Sequence, residues 1–278
     1  MIRVLSLMML LGASAAWAGG SAAAVKTPVA PAVEGEEEIG ELISDRPDFT
    51  ESSEVVGKGV LQIETGIVGE RYGEGAEGTG GITGPLPLIR LGVSKRFEFR
   101  FSGDGYSRQR LLARGSEATG GASDGAIGGK LKLVDEKGSR PAVAVIAGVS
   151  APVGHSRFTS GGWDPEVKLC WAKDVPAGFA VSGNFNFSSV TDSDGRLWNR
   201  AVSLSAGHDL AFGLAGYFEW YDLSFDRDQG HGSLLNGGIT RMIGKNAQVD
   251  VEVGRTISGN SPGRFASVGL VVRRPIGF

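Results

Sequence analysis

A set of charged residues stands out because nearly every member is flanked by apolar neighbours: Glu64, Arg90, Glu98, Arg100, Lys130, Lys132, Glu166, Lys168, Glu219, Asp250, Glu252 and Arg273. Successive side chains of an extended strand point to opposite faces, so these charges share one face and the apolar residues the other. Acids and bases occur in similar numbers, which suits ion pairing. Such a face can line a polar path, or it can only hold the wall of a closed sheet together; the sequence leaves both open. A second polar cluster, Asp45, Arg46, Asp48 and Phe49, lies upstream in the stretch Asp45 to Ser52. It can insert into a barrel mouth as a plug, with Arg46 on carboxylates and Phe49 in the wall, or merely cap the barrel.

Covalent chemistry has one candidate. His231-Gly232-Ser233 puts an imidazole and a hydroxyl on one strand face, and Trp198-Asn199-Arg200 resembles the Asn-bearing segment of outer-membrane phospholipases. A nucleophile needs a base within hydrogen-bond reach and a third group to orient it. Here the order is reversed and the two segments fall on the eighth and tenth strands, which are not neighbours, so no catalytic residues are expected. His155 and His208 have no metal-ligand spacing around them, and Asp192-Ser193-Asp194-Gly195 lacks the downstream Glu of a calcium loop. No metal and no cofactor are expected. The single Cys170 cannot form an internal disulfide.

The elements that must position the charges are strands. Leu61, Ile63, Thr65 and Ile67 alternate with Gln62, Glu64 and Gly66; Ile89, Leu91 and Val93 alternate with Arg90 and Gly92; Phe97, Phe99 and Phe101 oppose Glu98, Arg100 and Ser102. The same period of two continues through Ile127 to Leu133, Val143 to Val149, Val167 to Trp171, Phe179 to Phe187, Trp198 to His208, Ala211 to Asp226, Ser233 to Ile243, Ala247 to Ile257 and Ala266 to Val272. Twelve strands result. Short links at Ser94 to Arg96, Asp135 to Ser139, Lys173 to Ala177, His208 to Ala211 and Gly244 to Asn246 interleave with longer ones at Tyr72 to Thr83, Ser107 to Ala122, Pro152 to Gly162, Thr191 to Arg196, Asp226 to Gly232 and Ser258 to Pro262. That alternation of lengths, with charge on one face and aromatics on the other, predicts a transmembrane antiparallel up-and-down β-barrel. An open edge is not tolerated in hydrocarbon, so Leu61 to Ile67 must pair with Val268 to Val272. Trp163, Trp171, Phe179, Trp198, Phe212, Phe218 and Trp220 are placed for the aromatic girdles.

The 45 Gly residues among 278 weaken helices and suit strands and turns. No run of about 18 apolar residues offers a transmembrane helix. Arg3, the apolar run Val4 to Leu11 and Ala16-Trp17-Ala18 read as a signal peptide over residues 1–18. Residues 19–43 are Ala- and Pro-rich and then acidic, and are expected to form a disordered periplasmic linker. Residues 44–56 form the polar segment and 57–278 the barrel. The net charge of -3 gives no reason to expect nucleic acid as a partner.

The motif DRPDFTES at Asp45 to Ser52, followed by GVLQIETGI at Gly59 to Ile67, resembles the start of a family of outer-membrane transporters named for the MetA pathway of phenol degradation. The final strand ending on Phe278 is similar to the insertion signal of Gram-negative outer-membrane barrels. These resemblances imply the cell outer membrane, its lipid bilayer and the barrel-assembly machinery as surroundings. They also imply passive passage of a small, hydrophobic or aromatic solute. A non-conducting structural or adhesion barrel is the alternative, and a phospholipase-like hydrolase a further one.

Overall fold

The computed structural model describes residues 40–192, 195–226, 231–259 and 262–277. Residues 1–18, expected as a signal peptide, most of the expected linker and Phe278 lie outside the described residues. The chain folds as a closed antiparallel barrel of twelve strands in sequence order, and the last strand pairs with the first. They are β1 (Val60–Tyr72), β2 in two pieces (β2a, Thr79–Gly84; β2b, Leu88–Gly92), β3 in two pieces (β3a, Phe97–Gly103; β3b, Tyr106–Leu111) and β4 in two pieces (β4a, Thr119–Ala122; β4b, Gly125–Val134). The unbroken strands follow: β5 (Ala142–Ala151), β6 (Asp164–Val175), β7 (Phe179–Asp192), β8 (Gly195–Asp209), β9 (Leu214–Phe225), β10 (His231–Ile243), β11 (Ala247–Gly259) and β12 (Gly263–Pro275).

Closure follows the register the alternation requires. Ile63 pairs with Val272 and Ile67 with Val268, and the β1–β12 ladder runs from Val60↔Pro275 to Tyr72↔Gly263. Outward positions carry Ile63, Ile67, Phe99, Phe101, Ile127, Leu131, Phe185 and Phe187, all exposed, while the intervening Gln62, Glu64, Glu98, Arg100 and Lys130 are fully buried. The core of this protein is therefore polar and its exterior is oily, the inverse of a water-soluble fold and the pattern of a transmembrane barrel. Among the girdle candidates Trp163, Phe179, Trp198, Phe212, Phe218 and Trp220 are exposed.

Two expected links, Tyr72 to Thr83 and Ser107 to Ala122, prove partly ordered. Thr79–Gly84, Tyr106–Leu111 and Thr119–Ala122 are strands, which extend β2, β3 and β4 past breaks at Pro85–Pro87, Asp104–Gly105 and Ser123–Asp124. They are Gly-rich and show little apolar alternation, so period alone could not find them. The Thr191–Arg196 link is likewise a hairpin end, since Thr191 pairs with Arg196 and Asp192 with Gly195. By contrast, Ala211–Gly213, expected as the start of the ninth strand, is a tight 3-10 turn.

Candidate functional site

Inside the barrel the described amino-terminal segment runs from wall to wall. Leu42 and Ser44 to Ser53 are buried apart from the half-buried Phe49. The segment meets β1 where Glu64 accepts hydrogen bonds from Ser44 Oγ (2.8 Å) and the Asp45 amide (2.9 Å). It meets β2 and β3 where Arg90 donates to the Ile43 carbonyl at 3.1 Å and the Glu54 carbonyl at 2.9 Å, and where Glu98 accepts from the Val56 amide at 2.8 Å. On the far side, Glu219 of β9 accepts from the Phe49 amide (2.8 Å) and from Thr50 Oγ1 (2.6 Å), and Thr50 also reaches Ser203 of β8.

The charges sort by side. Arg90, Arg100, Lys130, Lys132 and Lys168 come from β2, β3, β4 and β6, whereas Glu219, Asp250, Glu252 and Glu64 come from β9, β11 and β1; Glu98 of β3 and Glu166 of β6 are the acids on the cationic side. The segment matches both halves. Asp45 lies 2.5 Å from Arg100, 2.8 Å from Lys130 and 3.3 Å from Arg90; Glu51 bridges Arg100 (2.5 Å) and Lys168 (3.0 Å); Glu54 pairs with Lys132 at 2.7 Å. Towards the acidic half, Arg46 meets Asp250 through Nη2 (2.9 Å) and Nε (3.3 Å). Pairs within the wall complete the network, with Arg90 on Glu98 (2.8 Å) and Glu64 (3.0 Å), and Glu166 at 3.4 Å from Lys168. Arg273 stands apart from this network and holds a short turn, bonding the Asn246 side chain and the Lys245 carbonyl.

Local sequence explains how Arg46 fits. Gly66 and Gly269 are partners across the β1–β12 junction, and the guanidinium lies flat on them; a Cβ at either position would overlap it. Phe49 occupies an inward apolar patch of Ala201, Tyr221, Leu223 and Leu234, with its ring centroid 5.0 Å from that of Tyr221 and 5.7 Å from that of Phe265. Burial alone would raise the Asp45 carboxyl, but Arg90, Lys130 and Arg100 outweigh it and hold it well below the usual carboxylate range. Asp48 goes the other way: burial raises it, Glu219 and Glu252 add to the rise, and the carboxyl lies well above its ordinary value.

Of the twelve charged positions and the four segment residues singled out from sequence, all but Arg273 join one connected lumen cluster or its rim, while Phe278 lies outside the described residues. Thr50, Glu51 and Glu54 also bond the wall, at Ser203 and Glu219, at Arg100 and Lys168, and at Lys132, and were not among the residues singled out from sequence. The position of Thr50 and Glu51 inside the polar motif, and of Glu54 just past it, was the available signal. The hydrolase candidate lacks its geometry: Ser233 Oγ donates to Asp222, His231 Nε2 lies 3.7 Å from the same carboxylate, and serine and histidine engage the carboxylate instead of each other. Asn199 is buried on β8, separated from β10 by β9. Cys170 packs with Ala126 and Ile146. No group of three or more metal-ligating side chains occurs among the described residues.

Comparison with known proteins agrees with the barrel. An outer membrane channel from Pseudomonas putida superposes with a TM-score of 0.59 at 11% identity, over 80% of this chain and 98% of that one. The translocator domain of the autotransporter NalP from Neisseria meningitidis gives 0.49 at 11% identity, over 78% and 88%. The KdgM porin gives 0.46 at 10%, over 74% and 98%. No curated protein matches the sequence. Residues 44–273, which include both the lumen segment and the barrel strands, match the family described as "Putative MetA-pathway of phenol degradation", and the chain belongs to that family.

Proposed function

We propose that this protein is an outer-membrane channel for passive passage of small apolar or aromatic compounds, held closed by residues 44–56, and that it performs no covalent chemistry. The observation that carries the reading is the segment itself, which reaches from the cationic wall at Arg100 and Lys130 to the acidic wall at Glu219 and Asp250. A barrel that served only as a scaffold has no need of a separate stretch of chain across its lumen. The inward apolar patch around Phe49 supports an apolar or aromatic solute, as does the family's association with phenol degradation. In this reading Phe278 is the residue by which the barrel-assembly machinery recognises the chain.

The test is single-channel conductance of refolded protein in a planar bilayer, as the full chain and with residues 44–56 deleted. Folding of both is checked by migration of unheated samples on a denaturing gel. A steady open state, several-fold larger in the deletion, is expected. Equal conductance in the two forms would remove the closure. A folded barrel silent in both forms would remove the channel and favour a structural or adhesive role.

A further inference from the structure

Four buried cations, Arg90, Arg100, Lys130 and Lys168, form one side of the lumen, and their hydrogen bonds depend on the segment to different degrees. Arg90 has wall partners in Glu98 and Glu64. Lys130 donates to Asp45, to Ser52 and to the Glu54 carbonyl, so every hydrogen bond described for it goes to the segment. Arg100 turns Nη2 to Glu51 and Nη1 to both Asp45 and Glu98. Once the segment leaves, Glu98, Glu64 and Glu166 are the wall carboxylates beside these four cations, and the excess of positive charge favours an anion in this place. Two segment carboxylates meet this cluster now, Asp45 on Arg100 Nη1 and Glu51 on Arg100 Nη2, each through a charge-assisted hydrogen bond. Across the lumen the same segment places a phenyl ring, Phe49, against Tyr221 and Phe265.

We propose that the lumen holds a binding site for small aromatic carboxylates, made of the cationic cluster and the aromatic slot, which Asp45, Glu51 and Phe49 occupy as a built-in mimic of that solute. The proposal rests on the reading of residues 44–56 as a closure, because the solute takes the place the segment gives up. A neutral phenol would fill the slot and leave the excess of positive charge unmatched, and a cationic aromatic would meet like charge. The acid group therefore sets the preference.

The test measures binding by titration calorimetry on refolded protein in detergent, so that conductance plays no part in its outcome. The full chain and the full chain carrying Asp45→Asn and Glu51→Gln are titrated with benzoate, benzyl alcohol and benzylammonium. Benzoate is expected to bind the double variant about tenfold more tightly than the parent, and about tenfold more tightly than either other probe. Adding Lys130→Met should remove that preference. If the double variant does not fold, the chain lacking residues 44–56 is titrated in its place, with the same expectation. Benzoate binding no tighter than benzyl alcohol overturns the site, even in a chain that conducts. Benzoate binding in a chain that never conducts overturns the channel and leaves the site standing.

Discussion

At the scale of the residue, Asp48 is the segment's one misfit. Asp45, Glu51 and Glu54 face cations and Arg46 faces Asp250, but the Asp48 carboxyl faces Glu219, Glu252 and Tyr217, with Ser205 nearby and no ion pair among the described residues. Because its proton is held more tightly in the seated segment than in free chain, its contribution to seating is full below the ordinary carboxylate range. That contribution falls as pH rises towards the raised value. Asp45 has the opposite sign: its contribution is present above the ordinary range and is lost in acid. As pH rises above the ordinary carboxylate range towards the raised value, Asp48 is thus the residue of this pair whose protonation still changes, and single-channel open probability should climb. Asp48→Asn should flatten that climb and lower the open probability at the alkaline end; an unchanged profile would remove Asp48 from the account. Arg46→Met should leave Asp250 buried without its partner and cost about 3–5 kcal/mol of seating, read as a large gain in open probability. The alternation of charged and apolar residues made the facing of these side chains legible in the sequence. It could not show which charge meets which, because the segment belongs to no strand and its register is fixed only by the finished lumen.

The elements show the same division between what period reveals and what it hides. β5 to β12 were legible because each crosses the bilayer with oil on one face and water on the other, and a period of two is the necessary trace. β2a, β3b and β4a lie beyond the breaks in their strands, where Thr79-Gly80-Gly81 and Thr119-Gly120-Gly121 carry little apolar alternation. Among the described residues β4a pairs with β3b and with no other strand, which makes it an edge there. Its amides should exchange with deuterium at least about tenfold faster than those of residues 125–131, which are paired on both sides. Equal protection in mass-spectrometric exchange would show that the edge is covered. The β1–β12 junction is an element-scale feature too, since the Gly66–Gly269 pair makes a floor shared by two strands. Gly269→Ala keeps the ladder and obstructs the floor, so it should raise open probability while the unheated gel migration of the barrel stays as in the parent. A loss of folding instead would mean the glycine serves the wall and not Arg46.

For the whole molecule, the lumen is a sheet interior split into a cationic and an acidic half, with a complementary strip of chain laid between them. Pairs this deeply buried are little screened by mobile ions, so the open probability should change less than about twofold between about 0.1 M and 1 M potassium chloride. A steep salt dependence would place the controlling contacts at the exposed rim, at Lys132, Glu54 and Asp135. The barrel and its polar interior were foreseeable from alternation and link length together. The depth at which the segment sits was not, because hydrogen bonds to opposite walls specify it and none of them is local in sequence. The seat of Arg46 also has a history. It is built half from the first strand and half from the last, so it does not exist until the chain has been made to its end and the two strands have met. The earliest described part of the polypeptide must therefore wait for the latest, and the charged cluster assembles only in a wall already complete.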